Sequence, residues 1–237
     1  MYTQHLPITT AVSPVLGYLR STAKERGPNG ERLTPALPFI TISRQAGIDG
    51  AALAHRLAQH LNTPTPERPW TVFDHELVNK VDADHNISVQ LVEMLERANR
   101  TWVEDLFSGM SLADRHEPSE LKIFRSLVST VRALAQAGLT ILVGRGGFMI
   151  THDMPAGIHL RLVAPLEHRI RTIMRIHNET HTQAAQRLQR LDEERAAFLH
   201  QHWPDRQPAP ELFTLTLNAG MLSEEQMAAC VLTLLKR

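Results

Sequence analysis

Two hydrophobic periods alternate along residues 38–237, one typical of buried strands and the other typical of helices. Thr140–Val143 is a short apolar run, as expected for a strand that is covered on both faces of a parallel sheet. Gly50–Leu61 instead repeats its apolar residues every three or four positions, so one face of the predicted helix should lie on a sheet. The alternation predicts an α/β fold in which helices cover both faces of a mainly parallel, five-stranded sheet.

The predicted strands occupy residues 39–43, 70–73, 140–143, 159–163 and 213–217. The predicted helices occupy residues 50–61, 88–107, 119–137, 166–176 and 182–202, and a last one begins at Ser223. Local signals mark three helix ends: Gly138 follows a helix, Pro165 takes the first position of one, and Ser223 forms a capping box with Gln226. Residues 108–118 are polar and contain turn formers, which predicts a mobile loop.

The length of 237 residues allows one domain, or at most two. Residues 1–37 contain four prolines and a turn-like Gly-Pro-Asn-Gly segment. We therefore expect an N-terminal extension that is poorly structured, with at most a short helix at residues 13–19. Residues 38–237 are predicted to form the folded domain.

Charge and cysteine content argue against several classes of protein. Lys+Arg and Asp+Glu both number 25, so no overall attraction to nucleic acid or to a membrane surface is expected, although a local basic site is compatible with this balance. The tryptophans do not alternate with basic runs, which also argues against single-stranded nucleic acid as a partner. Neither a membrane span of about 18 apolar residues nor a signal peptide is expected. Cys230 lies among alanines and a valine, which predicts a buried, inert thiol in a reducing cytoplasm.

A histidine pair is the one pattern that suggests a protein metal site. His177 and His181 are four residues apart and would share a face if a single helix ran through both. Glu179 does not stand where the H-E-x-x-H motif requires its glutamate, and no third ligand is indicated. We therefore predict no metal site formed by protein ligands alone.

The segment ITISRQAGIDGAALAHRL, residues 40–57, places a glycine-containing loop between the first strand and the first helix. Amides in such a loop can bind phosphate, and Gly47 and Gly50 would let an anion approach closely. The lysine and hydroxyl of the G-x-x-x-x-G-K-[ST] motif are missing, since Gly50 and Ala51 occupy their positions. Asp49 would repel a polyphosphate unless a cation neutralised it. The segment predicts either an atypical phosphate loop or a plain strand–turn–helix connection.

Later segments make the first of these readings more specific. After residues 40–61, the chain continues in order with FDHELV (73–78), ILVGRGGFMI (141–150), IHLRLVAPLEHRI (158–170), LDEERAAFL (191–199) and LFTLTLNAGMLSEEQ (212–226). Together these segments, which span about residues 38–235, resemble the cytidylate kinase-like family, a branch of the P-loop nucleoside monophosphate kinases. The resemblance implies a P-loop kinase-like, three-layer fold.

The resemblance also implies an activity. It implies transfer of the γ-phosphoryl group of ATP to CMP or a related nucleotide, with Mg²⁺ entering together with ATP. It further implies an acceptor-binding helical region at about residues 75–137 and a lid at about residues 166–205. The alternative, favoured by Asp49 and Ala51, is a nucleotide-binding or regulatory module that keeps the fold and has lost turnover. The sequence specifies neither the acceptor base nor an oligomeric state.

Arginine suits phosphoryl transfer because its planar fork donates paired hydrogen bonds to phosphate. By resemblance, Arg44 replaces the missing lysine, and Arg169 and Arg195 act on the transferring group. The resemblance and the strand positions imply further site residues: Ser43, Gly47 and Gly50 in the phosphate loop, Asp74 and Arg145 at the acceptor, and Arg175 and Asp192 in the lid. Asp192 is expected to hold the guanidinium of Arg195. For the helix arginines, the alternative is a solvated and charged helix face.

The two acceptor residues are predicted from their places in the sheet as well. Ligands of parallel α/β sheets bind beyond the carboxyl ends of the strands, where Asp74 and Arg145 should emerge. Arg145 is predicted to contact an acceptor phosphate, and the alternative is a structural ion pair. Asp74 is predicted to bind the acceptor nucleotide or, through water, Mg²⁺, and the alternative is an N-cap of the following helix.

Overall fold

The computed structural model describes residues 36–74, 119–144, 146–206 and 208–235. The predicted extension before residue 36, the helix at 88–107 and the loop at 108–118 lie outside these ranges, as does Arg145. Within the ranges, no helix is both long enough and apolar enough to cross a membrane.

The described elements alternate between strands and helices along the chain. The strands are β1 (Phe39–Arg44), β2 (Thr71–Phe73), β3 (Thr140–Val143), β4 (Gly157–Val163) and β5 (Leu215–Asn218). The helices are α1 (Gly50–Leu61), α2 (Ser119–Ala137), α3 (Gly147–Thr151), α4 (Leu166–His177), α5 (His181–His202) and α6 (Glu224–Leu235), with a 3₁₀ turn at Pro210–Leu212.

The strands form one sheet in the order β2-β3-β1-β4-β5, in which all neighbours are parallel. The predicted α/β fold with a five-stranded parallel sheet is therefore confirmed. In the central strand, Ile42 lies beside Val143 of β3 and Leu160 of β4. This register brings the carboxyl ends of β1, β3 and β4 together at one edge of the sheet.

Alternation along β1 directs its side chains into two separate cores. Ile40 and Ile42 pack with α1 and α6 on one face, whereas Phe39 packs with α2 on the other. These β1 side chains are at most 1% exposed, and burying each of them contributes about 1.5–3 kcal/mol to folding. The two cores hold the sheet rigidly from both faces and so fix the position of its carboxyl edge.

Helices α4 and α5 form a hairpin that packs on the loop after β1. Ala46 of the loop is fully buried among Ile170, Ile173 and residues of α5. The neighbouring Gly47 has a φ of 75°, and a Cβ there would lie 2.8 Å from the carbonyl oxygen of Arg169. The hairpin and the loop therefore touch backbone to backbone, which only glycine permits at this position.

An aromatic cluster attaches the C-terminal end of α5 to α2. The ring of His202 stacks on Phe124 with 3.7 Å between the centroids, and Trp203 meets Phe124 edge-on at 5.5 Å. A Cβ on Gly146, just before α3, would lie 2.8 Å from the Trp203 ring. The C-terminal end of α5 is therefore packed against α2 and the residues that precede α3. The other part of the hairpin packs on the loop after β1.

His159 of β4 is buried on the face of the sheet that α2 and α3 cover. Its Nδ1 is 2.8 Å from the hydroxyl of Thr41 in β1, and Phe39 and Phe148 approach its ring edge-on. Burial, with a smaller contribution from His152, lowers the pKa of His159 to about 4. The imidazole is therefore neutral in the folded protein at neutral pH.

Most predicted boundaries agree with the structure to within two residues, and two helix-end signals are confirmed. Gly138 follows α2 with a φ of 76°, and Ser223 and Gln226 exchange both hydrogen bonds of a capping box. Pro165 differs from its prediction because it precedes α4 as the N-cap, with extended ψ, so the helix begins at Leu166.

The last strand begins two residues later than predicted, and one short helix was not predicted. The last strand begins at Leu215, because Phe213 turns inward and packs on Phe148 while Thr214 makes the first contacts with β4. Helix α3 was not predicted, since its paired glycines, Gly146 and Gly147, are typical of a turn. Both departures come from tertiary contacts that local periodicity does not encode.

One prediction about a single side chain was wrong for a geometric reason. Cys230 is exposed, because α6 directs Met227, Ala228 and Val231 toward the sheet and Cys230 toward the outside. The histidine pair does not share a helical face, because α4 ends at His177 and α5 begins at His181, with a turn between them.

We predict that Gly47→Ala lowers the free energy of unfolding by about 2–4 kcal/mol, because the left-handed backbone is strained and the new Cβ meets the Arg169 backbone. Urea denaturation measures this loss. Gly147→Ala is the matched control, since a Cβ there meets nothing closer than 3.8 Å, and it should be neutral or stabilising. Equal effects of the two substitutions would contradict the close contact between loop and hairpin.

We also predict an acid-sensitive component of stability that depends on His159. The unfolded chain protonates this histidine near pH 6.5, whereas the folded protein does so only near pH 4. The unfolded state thus binds more protons between these values, so stability falls as the pH is lowered from 6.5 to 4, by up to about 3 kcal/mol. Urea denaturation across this range should show a smaller loss for His159→Gln, which can still bond Thr41. An identical pH dependence for both proteins would refute the assignment.

Candidate phosphate-binding site

A cavity of about 1100 Å³ opens at the carboxyl edge of the sheet, between the ends of β1, β3 and β4 and the side of α5. Its polar lining includes two residues of β1, Ser43 and Arg44, and the following Gln45. Charged residues from more distant segments complete it: Arg161 of β4 and Asp192, Glu194 and Arg195 of α5. The sheet thus brings cations from three separate parts of the chain to one cavity.

The loop between β1 and α1 is bound to the end of β4. The amide of Gln45 donates to the carbonyl oxygen of Leu162 at 3.1 Å, and the side-chain oxygen of Gln45 accepts from the amide of Ala164 at 3.0 Å. Gln45 therefore holds the loop at a fixed height beside the turn that starts α4. This role was not predicted from the sequence.

Asp192 of α5 joins the loop to the hairpin. Its Oδ1 accepts from the amide of Ala46 at 3.0 Å, and its Oδ2 lies 2.6 Å from Nη1 of Arg169. Arg169 is only 9% exposed, and its Nε has no hydrogen-bond partner within the described part of the chain. The carboxylate that was expected to hold Arg195 thus holds Arg169 and one amide of the loop.

Asp49, the acidic residue of the loop, caps the helix that follows. It is exposed, and its Oδ1 accepts from the amide of Ala52 at 2.9 Å. One of the N–H groups that a helix N-terminus offers to an anion is therefore already bonded to a carboxylate. Asp49 thus has a structural role that explains its presence in an atypical loop.

The side chain of Arg44 passes between Gly50 and Gly144, where the start of α1 and the end of β3 meet. A Cβ on Gly144 would lie 2.4 Å from Nη1 of Arg44, and a Cβ on Gly50 would lie 3.1 Å from its Cδ. The carbonyl oxygen of Arg44 also accepts from Nη1 of Arg195 at 3.4 Å. The absence of side chains at both glycines leaves room for the guanidinium beside the helix N-terminus. This is the position at which Arg44 was expected to replace the missing loop lysine.

Arg161 is a cavity residue that was not singled out from the sequence. Burial lowers the pKa of its guanidinium, an effect that the charge of Asp192 partly offsets. The guanidinium carbon lies 5.8 Å from the centre of the Phe213 ring. The sequence does contain one sign of it, a single arginine within the predicted strand β4. In the structure this position pairs with Ser43.

The other predicted site residues do not all line the cavity. Arg175 is exposed on α4 and does not line the cavity, whereas Asp74 is half-buried directly after β2, an edge strand. In α5, Arg187 is bound to Glu179, and Arg190 lies 3.7 Å from Glu194. These two arginines fit the alternative interpretation of a charged helix face.

Metal ligands are not clustered in the described ranges, where no group of three or more histidine, cysteine, aspartate or glutamate side chains could hold an ion. His181 instead lies 3.3 Å from Glu167 on the outside of the hairpin.

Comparison with solved structures places this fold beside known chains. An uncharacterized protein from Eubacterium ventriosum ATCC 27560 aligns with a TM-score of 0.60 and 16% identity, over 84% of this chain and 98% of that one. Shikimate kinase from Bacteroides thetaiotaomicron aligns with a TM-score of 0.42 and 16% identity, over 84% and 99% of the two chains. The first likeness supports the fold alone, and the second is too distant to carry an argument.

Comparison with curated proteins gives no match. Comparison with protein families matches residues 39–220, well over half of the sequence, to the cytidylate kinase-like family. The matched range includes β1, α3, β4 and α5, which supply most of the residues that line the cavity. The chain therefore belongs to the cytidylate kinase-like family.

Proposed function

We propose that the protein is a nucleoside monophosphate kinase, which transfers the γ-phosphoryl group of ATP to CMP or a related nucleotide. The observation that carries the proposal is the meeting of Arg44, Arg161 and Arg195 around one cavity at the carboxyl edge of the sheet. Phosphoryl transfer needs such a site, because most of its catalysis comes from positioning and from positive charge around the transferring group.

The donor phosphates would bind where the loop, α1 and Arg44 converge. Arg44 would supply beside the helix N-terminus the charge that a loop lysine would have brought, whereas Gly47 is covered by the backbone of Arg169 until the hairpin moves. Arg195 reaches the same place from α5, as its hydrogen bond to the Arg44 carbonyl indicates. Arg169, whose backbone lies against Gly47 and whose Nε has no partner among the described residues, would serve the loop from the hairpin side.

The hairpin would act as a lid over the donor. In the present arrangement Asp192 occupies the amide of Ala46, so a donor phosphate has to replace this carboxylate at the loop. The core between the sheet, α1 and α6 contains no residue of the hairpin, so this core would stay intact if the hairpin moved.

Mg²⁺ would enter with ATP and would neutralise charge between the β- and γ-phosphates. The carboxylate oxygens that the cavity offers such an ion are those of Asp192 and Glu194. This set fits an ion that keeps several waters and takes most of its ligands from phosphate.

A second candidate function is a nucleotide-binding or regulatory module without turnover. Two carboxylates favour it, since Asp192 and Asp49 already accept from the amides of Ala46 and Ala52. Each of these amides would otherwise be available to an anion at the loop or at the helix N-terminus.

We predict ADP production from ATP when CMP or a related nucleoside monophosphate is added, because the cations of the cavity can hold both phosphates. A coupled assay with each nucleoside monophosphate as acceptor measures this activity, and ATP without an acceptor gives the background. Binding of ATP or CMP by calorimetry without turnover on any acceptor would select the second candidate function.

We predict that Arg44→Ala weakens ATP binding by about tenfold or more, since a charge-assisted contact to phosphate is lost. Calorimetry measures the change in Kd. Arg56→Ala, which removes a partly exposed arginine on the outer side of α1, is the control and should leave ATP affinity unchanged. An ATP affinity that is the same in both variants would show that Arg44 does not replace the lysine.

A further inference from the structure

The cavity contains a cation that the proposed donor site does not use. Arg161 is half-buried in β4, and its guanidinium makes no hydrogen bond or salt bridge with any other described residue. A half-buried charge is costly unless it is paired, so a position of this kind is usually kept for a ligand. The carboxylate nearest to it in the cavity, Asp192, is already committed to Arg169 and to the Ala46 amide.

The fold presents this guanidinium together with a hydroxyl. Ser43 and Arg161 are direct partners in the parallel ladder between β1 and β4, so both side chains leave the same face of the sheet. Both line the cavity, and the Ser43 hydroxyl makes no side-chain hydrogen bond with another described residue. The ring of Phe213 lies beside the guanidinium at 5.8 Å and restricts its orientation. Adjacent donors of these two types form a compact receptor for a tetrahedral anion.

We propose that Arg161 and Ser43 form an anion subsite that binds the phosphate of the acceptor, a phosphomonoester. Its identification with the acceptor rests on the proposed kinase function, whereas the existence of the subsite does not. The position suits an acceptor, because Ser43 is separated from the loop at residues 45–49 by Arg44 alone. A phosphate oxygen held there would lie beside the donor phosphates, as in-line attack requires.

The remainder of the cavity fits the body of such a ligand. Phe148, Met149 and Leu199 line it together with Arg161, so an apolar wall continues from the cation. A nucleoside monophosphate matches this arrangement, with a dianion at one end and at the other a planar aromatic base whose faces can stack on an apolar wall. Inorganic phosphate should occupy the subsite more weakly, because it lacks contacts with the wall.

The test compares the binding of CMP, cytidine and inorganic phosphate by calorimetry in four proteins. These are the wild type, Arg161→Met, Ser43→Ala and Arg171→Met, the last being a control that removes an exposed arginine from α4 by the same substitution. Arg161→Met should weaken CMP binding by about tenfold or more and Ser43→Ala by a smaller factor, because each removes a donor to phosphate. Cytidine binding should change in neither variant, and Arg171→Met should match the wild type.

A second measurement separates binding from folding. Without ligand, Arg161→Met should melt at a temperature no lower than that of the wild type, because it removes a half-buried charge that is only partly compensated. Arg161→Lys keeps the charge without the planar fork and should bind CMP with intermediate affinity. A lower melting temperature together with unchanged CMP affinity would assign Arg161 a structural role and overturn the subsite.

Three other results would also overturn the subsite: equal CMP affinity in wild type and Arg161→Met, equal losses of CMP and cytidine affinity, or a wild type that binds neither CMP nor inorganic phosphate. Failure of the proposed function looks different. CMP binding that depends on Arg161, without ADP production, would leave the subsite standing and reject the kinase activity. ADP production that Arg161→Met leaves intact would do the reverse.

Discussion

One carboxylate connects the two halves of the candidate site. Asp192 accepts a hydrogen bond from the amide of Ala46 and holds the guanidinium of Arg169, so it joins the loop at the sheet edge to both helices of the hairpin. In the proposed kinase, this carboxylate stands where a phosphate oxygen would bind the loop amide. The contact would have to yield when a phosphate binds there. The packing of Gly47 against the backbone of Arg169 adds shape complementarity to this electrostatic link.

The sheet and most helices could be predicted because their signals are local and periodic. Apolar runs identify β1, β3 and β4, and the three-to-four-residue spacing in α1 and α2 identifies the helices that cover them. Phe213 shows where this reasoning fails: it extends the apolar pattern of β5 toward the N-terminus, but it packs on Phe148 instead of joining the ladder. The prediction that Cys230 is buried failed for a similar reason, since apolar neighbours in the sequence do not show which side of a helix faces inward.

Only those parts of the candidate site that lie within one stretch of sequence could be predicted. The glycines of the loop and Arg44 are visible in one stretch of sequence, and the structure places them together. The bond between Ala46 and Asp192 joins residues 146 positions apart, and no local pattern specifies it. Arg161 was missed for another reason. A single arginine in a strand does not indicate a site until the pairing of β4 with β1 shows that it lies beside Ser43.

The aromatic attachment of α5 to α2 has a mechanical consequence. The helix has 22 residues and is about 33 Å long, with Phe124, His202 and Trp203 fastening one end. If it tilts by about 10° around that end, the start of the helix travels about 6 Å and Asp192 about 2.6 Å, whereas Arg195 travels only about 2 Å. Such a tilt would carry the carboxylate away from the loop before the arginine left the cavity. Uncovering the entrance would then not require removing the positive charge inside.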